Sequence, residues 1–347
     1  MGQKRQSDAL VEVQTKKSRN NELVPLTNKD KQLLEAGISR TSSLFSPIMC
    51  LEGHQADVFS CEFHPEGEHL VSSGADRQIY IWKTFGECEN VGVLNGHTNA
   101  VTEVHFSPDG SHLYTSSIDK NCAVWDVATC TRIRKLRGHT NFVNSCRGAR
   151  RGTEMVVSGS DDRSIRLWDA RKKFAVQTIE TPYQVTAVCF NDTSEQVISG
   201  GIDNVLKLWD LRKNEVLFEM KGHTDTITGV SLSPDGAYVL SNSMDNTLRI
   251  WDIRPYVSGE RLIKIFGGHQ HNFEKHLLKA AWSPDSQRVS CGSADRLLYI
   301  WDVPSSRILY RLPGHNGSIN DVDFHPTEPI ILSGSSDKTL YLGELDA

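Results

Sequence analysis

His54, Ser72 and Asp76 are the residue types of a hydrolase triad, in which a histidine takes a proton from a serine while a carboxylate orients the ring. The same trio recurs as His97, Thr115 and Asp119, as His139, Ser158 and Asp162, as His223, Ser241 and Asp245, and as His315, Ser333 and Asp337. A reacting centre is needed once, so a trio that recurs points to a structural unit. Its chemistry would be a buried chain of hydrogen bonds. The carboxylate accepts from the ring and from backbone amides, the ring donates to the hydroxyl, and the hydroxyl reaches an indole N–H. Such a chain satisfies polar groups that are costly to bury alone. The sequence has no Gly-rich phosphate loop, no His-Glu-x-x-His and no isolated nucleophile with a base, so no enzymatic activity, cofactor or metal is expected.

The indoles reveal the period. Asp76, Asp119, Asp162, Asp203, Asp245 and Asp295 each stand six residues before a tryptophan: Trp82, Trp125, Trp168, Trp209, Trp251 and Trp301. The tryptophans are spaced by 43, 43, 41, 42 and 50 residues, the period of a repeat architecture. Asp337 keeps the offset but finds Gly343. Ser199 and Cys291 continue the hydroxyl column, Thr181 stands where a histidine is absent, and His269 lies 26 residues before its aspartate. Between the columns apolar residues alternate at period two, as in Val58, Cys61 and Phe63 or Leu206 and Leu208. Turns such as Ser107-Pro108-Asp109-Gly110 divide them, so each unit reads as four short antiparallel strands, a to d.

Gly-His, Asp and Trp-Asp at this spacing resemble the WD-repeat family, in seven copies over residues 44–347. The resemblance implies an all-β, seven-bladed propeller. The chain ends four residues after Gly343, leaving no room for a last strand d, so 46–51 is expected to supply it and close the ring. Residues 1–43 form a separate N-terminal tail, polar and expected to be disordered over 1–26, with a short helix over 27–36. Lys4, Arg5, Lys16, Lys17 and Arg19 have the two-cluster spacing of a bipartite nuclear import signal.

The net charge of −5 is uneven: residues 1–43 carry eight basic and five acidic side chains, leaving −8 on the repeats. So acidic a body is not a general nucleic-acid binder. No apolar run approaches about 18 residues, so a soluble chain without membrane span or signal peptide is expected. The eight scattered cysteines contain no Cys-x-x-Cys pair and read as free thiols.

Two faces are candidates for binding. On the top face, the residue before each turn aspartate and those following Gly-His put Ile118, Phe142, Tyr183, Ile202 and Met244 on consecutive blades, with Phe273 on a lengthened connection. Such an apolar patch marks a protein-binding surface. On the bottom face, Arg147, Arg150 and Arg151 in the third a–b loop, Arg171, Lys172 and Lys173 in its c–d loop, and Arg212 of the next blade form a basic cluster for RNA phosphate or an acidic protein segment. The sixth repeat is eight residues over period, at 254–260 and 269–279, where loops specific to a partner would lie.

Several segments do not follow from the repeat consensus, among them Val143-Asn144-Ser145-Cys146, Ile198-Ser199-Gly200-Gly201-Ile202 and His271-Asn272-Phe273-Glu274-Lys275. They resemble a spliceosomal branch of the WD-repeat family. That resemblance implies a non-enzymatic scaffold of pre-mRNA splicing, nuclear, monomeric within a small nuclear ribonucleoprotein, bound to a large Prp-type scaffold protein and touching RNA at most peripherally. Two alternatives stay open. Trp-Asp-x-Arg at Arg171, Arg212 and Arg254 resembles the docking box of cullin-4 ubiquitin-ligase receptors, and the top-face pore suits a reader of chromatin peptides.

Overall fold

Twenty-eight strands arranged in seven four-stranded antiparallel sheets make up a computed structural model of the protein, which describes residues 40–257 and 259–345. The propeller falls in the unit Ser42–Ala347. The basic clusters of the tail and the helix expected over 27–36 lie outside the described residues.

Blade 1 shows the pattern. Strand a is Val58–Phe63, b is His69–Gly74, c is Gln78–Lys83 and d is Asn90–Asn95, paired in that order. Strands b and c are buried almost throughout, because both faces of a blade pack against neighbours, whereas strand d is largely exposed and buries only Leu94. The apolar residues gather into seven clusters, one at each junction between adjacent blades: Val71, Ile79 and Leu94 of blade 1 meet Val104 and Trp125 of blade 2. Leu340 and Leu342 of blade 7 likewise meet Leu51, Val58 and Leu70. The core is therefore a ring of seams, and no blade is buried without its neighbours.

The ring closes as the sequence requires, with a small shift of bounds. Ile48–Glu52 pairs with Thr339–Glu344, Ile48 opposite Gly343 and Glu52 opposite Thr339, giving the last blade its strand d. Glu344 Oε1 accepts from the Ser42 amide at 2.6 Å and Glu328 Oε1 from the Ser43 hydroxyl at 2.8 Å, so the tie extends beyond the strand.

The b–c turns share one conformation. The residue after each turn aspartate is left-handed in all seven blades, with φ from 60° at Asn246 to 72° at Lys338. None of these residues is glycine. The aspartate Oδ1 accepts the amide two residues on, as at Ser164 (3.0 Å) and Thr339 (3.0 Å), which offsets the strain.

Candidate interaction surfaces

Blades 1, 2, 3, 5 and 7 each hold a histidine between a carboxylate and a hydroxyl. The distance from His Nδ1 to the Asp Oδ2 is 2.7, 3.1, 2.8, 2.9 and 2.9 Å, and from His Nε2 to the hydroxyl 2.8, 2.8, 2.7, 2.7 and 2.9 Å, in that blade order. The indoles of Trp82, Trp125, Trp168 and Trp251 donate to the same hydroxyls at 2.8 to 2.9 Å. Direction follows from chemistry. A carboxylate only accepts, so Nδ1 carries a proton, and a neutral ring then accepts at Nε2. The chain runs from indole to hydroxyl to imidazole to carboxylate, the reverse of the expected ring-to-hydroxyl step. Ser72, Thr115, Ser158 and Ser241 have no solvent exposure, so no substrate can reach them as nucleophiles. Burial resists ionisation of Asp162, but the bonds from His139 and Ser164 outweigh it and hold the carboxyl well below its ordinary range. The glycine before the histidine has a packing reason in blades 1, 2, 3 and 5. A Cβ on Gly53 would lie 2.8 Å from the edge of the Trp82 ring, and one on Gly222 3.0 Å from that of Trp251.

Two blades are built otherwise. In blade 4, Trp209 still donates to Ser199 at 2.8 Å, but Asp203 pairs with Lys207 Nζ at 2.6 Å. In blade 6, His269 leaves its own blade: Nε2 lies 2.9 Å from Asn242 Oδ1 of blade 5, while Asp295 accepts from the Tyr299 hydroxyl at 2.6 Å. Trp301 donates to the Gly267 carbonyl at 3.3 Å, because Cys291 stands where the hydroxyl would be. Asp295 and Trp301 thus belong to no histidine tetrad. In blade 7, Tyr341 meets His315 edge-on at 4.6 Å, as Tyr80 meets His54 at 4.5 Å in blade 1.

Sequence reasoning missed the central channel. The second residue of strand a reads Phe59, Thr102, Asn144, Thr186, Thr228 and Asn320 in the six blades other than blade 6. Thr102 donates to the Val143 carbonyl at 2.7 Å, Asn144 to Val185 at 3.0 Å, Thr228 to Leu278 at 2.9 Å and Asn320 to Val58 at 2.6 Å. Each bond reaches the next blade. Acids supply a second set. Glu62 accepts the Phe106 amide at 2.6 Å, Glu103 that of Cys146 at 2.8 Å, Asp321 that of Cys61 at 3.0 Å and Asp323 that of Phe63 at 2.8 Å. These bonds satisfy the inner strands' free edges. The Lys279 amide donates to the Asn320 carbonyl of the next blade at 2.8 Å, while its Nζ reaches across the channel, 3.0 Å from Glu103, and lies 3.7 Å from Asp321 of the next blade. Burial alone would raise Glu103, yet Lys279 and His105 outweigh it and hold the carboxyl well below its usual range. Burial, then the Glu62 charge, pushes Asp323 upward. In the repeat register Lys279 shares a column with Glu103 and Asp321, and a lysine aligned with those two acids was the available signal.

On the top face, Phe142, Tyr183 and Ile202 are 43%, 53% and 46% exposed, Phe273 is wholly exposed, and Ile118 and Met244 are half-buried. Ile118 and Phe142 share the wall of a cavity of ≈ 200 Å³ with Phe59, Lys275 and His276, at the mouth above Lys279. The mounts are firm: the Phe142 carbonyl accepts from the Ser160 hydroxyl at 2.7 Å, and the Ile202 amide bonds to Gln184 at 3.3 Å.

The bottom basic cluster does not form one patch. Arg147 belongs to strand a (Val143–Gly148), not to the a–b loop, and its guanidinium lies 3.9 Å from Glu62 beside a cavity of ≈ 240 Å³. Arg150 reaches blade 5, donating to Leu232 and Ser233 carbonyls at 2.8 Å each. Arg151 pairs with Asp192 at 2.8 Å, Lys172 with Asp169 at 3.7 Å, and Arg212 with Glu195. Arg171 and Lys173 remain exposed without an acidic partner among the described residues. Two of the three Trp-Asp-x-Arg arginines are thus engaged locally, since Arg254 folds back on Asp252 and over the Tyr238 ring.

Seven four-stranded blades, closed by the chain's own first strand and stapled by these columns, define a propeller of the WD type. The family described as "WD domain, G-beta repeat" matches at residues 45–83, 88–126, 130–169, 175–210, 214–252, 260–302 and 306–342, and the chain belongs to the WD40 repeat family. It is 62% identical over 313 residues to the U5 small nuclear ribonucleoprotein 40 kDa protein of Mus musculus, covering 90% of this chain and 87% of the relative. The protein of that name from Dictyostelium discoideum is 48% identical over 95% of this chain and 93% of its own length. Pre-mRNA-splicing factor cwf17 of Schizosaccharomyces pombe is 43% identical over 92% of this chain and 94% of its own.

Proposed function

We propose that this chain is a non-enzymatic interaction scaffold of the U5 small nuclear ribonucleoprotein, acting in pre-mRNA splicing in the nucleus. One observation carries the reading. Identity of 62% to a protein of that name spans 90% of the chain, and so runs through loops and faces as well as the repeat columns. The buried tetrads support a binding role, because the residues that could do chemistry are consumed in holding the blades. The top face is the docking surface for a large Prp-type scaffold protein, with Phe142, Tyr183 and Ile202 as its exposed anchors and Phe273 as an outlying hook. Lys4, Arg5, Lys16, Lys17 and Arg19 direct nuclear import.

Purification of the tagged full chain from nuclear extract tests this, with the RNA sequenced and the proteins identified by mass spectrometry. U5 RNA and one very large protein should be enriched over an untagged control. Their absence from an otherwise intact, folded preparation would overturn the assignment.

A further inference from the structure

Blade 3 differs from its neighbours at the bottom rim. The c–d turns of blades 1, 2, 4 and 6 contain a left-handed residue: Cys88, Cys130, Asn214 and Ser306, with φ of 53°, 54°, 57° and 58°. Blade 3 has no such residue between its Asp169 and the start of strand d at Gln177, and that strand is only four residues long. The segment from Arg171 to Val176 therefore forms a lip. Ala175 packs against the seam between blades 2 and 3, so its neighbours in sequence point outward, and Phe174 and Val176 are 69% and 50% exposed. Gln177 ties this lip to the next blade's turn, donating to the Leu211 carbonyl at 2.7 Å and to Asn214. Arg212 and Lys213 lie in the turn that Gln177 contacts, and Arg171, Lys172 and Lys173 lie in the turn that leads into Gln177. Lys172 and Arg212 are paired with Asp169 and Glu195, while Arg171, Lys173 and Lys213 have no acidic partner among the described residues.

We propose that this lip binds a protein segment in which carboxylates flank apolar side chains. The three unpaired cations call for negative charge, and Phe174 and Val176 call for apolar cover. A nucleic acid fits less well. Asp169, Glu195 and Glu215 stand among the cations and would repel a regular phosphate backbone, whereas an irregular acidic peptide can place its charges between them. The lip lies on the opposite face from Phe142 and Tyr183, so the propeller would bridge two partners, and this site does not depend on the splicing assignment.

The test uses the purified full chain and fluorescence anisotropy with three labelled probes: a synthetic peptide alternating Asp and Glu with Leu and Phe, an equally charged peptide without apolar residues, and oligouridylate. The first should bind best. Phe174→Ser should weaken it about tenfold, and combined Arg171→Glu, Lys173→Glu and Lys213→Glu should abolish it, with Leu309→Ser, an exposed apolar residue of blade 6, as an unaffected control. Thermal melting by circular dichroism identifies variants that remain folded. Oligouridylate binding as tight as the peptide's, indifference to Phe174→Ser in a folded variant, or no saturable peptide binding would each overturn the proposal.

Discussion

Blade 3 and blade 6 are built from the same repeat and use it differently. In blade 3 the histidine stays at home, linking Asp162 at 2.8 Å to Ser158 at 2.7 Å, and the blade's peculiarity lies in its loops. In blade 6 the longer connection carries His269 away from Asp295 to Asn242 of blade 5, and a lysine of the same blade spans the channel to Glu103. One blade is stapled internally and the other is bound to the rest of the ring. The spacing between histidine and aspartate decides which, since the ring nitrogen can reach its carboxylate only when the connection has the ordinary length.

Breaking the channel contact should have the largest effect. Lys279→Ala leaves buried Asp321 without its cation and Glu103 with His105 alone, and should cost about 3 kcal/mol in urea unfolding. A double change, Lys279→Met with Glu103→Gln, should recover much of that loss. Full loss in the double variant would mean that packing, not charge, holds the site.

Next comes the internal staple. Asp162→Ala strands the His139 ring, the Thr140 amide and the Ser164 hydroxyl, and should cost about 2–3 kcal/mol. Asp295→Ala removes the acceptor of the Tyr299 hydroxyl and the Leu297 amide only, and should cost about 1 kcal/mol. Equal losses would erase the distinction between the two blades.

The two blades should also separate on a pH axis. Burial, and the neighbouring His271 charge, pull His269 down to about 4, and burial pulls His271 down to about 4. A histidine depressed in the folded state contributes stability that is complete above its ordinary value and lost as pH falls from about 6.5 toward 4. Asp162 is depressed too, so its contribution is complete above the carboxylate range and disappears only in stronger acid. Burial lowers His139 of blade 3 as well, against the opposing bond from Asp162, so both blades lose stability below about pH 6.5, and the loss should be larger at the seam between blades 5 and 6, where two histidines are drawn down to about 4. His271→Gln should flatten the slope between about pH 6.5 and 4 and leave the acid limb unchanged.

The smallest effect separates the basic residues. Arg150→Ala should cost about 1 kcal/mol by releasing two carbonyls, and Arg171→Ala should leave stability unchanged.

The blades and their staples were legible because every partner of a tetrad lies within one repeat, at a fixed offset along the chain. Gly343 marked the closing blade, and the absent histidine at Thr181 marked the blade where Asp203 turns to Lys207. The channel was not legible in the same way. Lys279 and Glu103 meet only because the ring brings blade 6 opposite blade 2, and repeat spacing does not encode that crossing. The basic cluster misled for a related reason: adjacency in sequence put Arg147, Arg150 and Arg171 together, whereas strand geometry sends the first into the channel and the second across to blade 5. Phe142 and Tyr183 were legible as positions following the Gly-His site, since that connection always emerges on the top face.

The central claim is that the repeated residues hold the ring while the exposed exceptions carry partners. Its most direct test is quantitative recovery of U5 RNA with the tagged chain carrying Phe142→Ser, Tyr183→Ser and Ile202→Ser together. The account predicts an unchanged melting temperature and U5 RNA reduced to the untagged background. Recovery equal to the unaltered chain would contradict it.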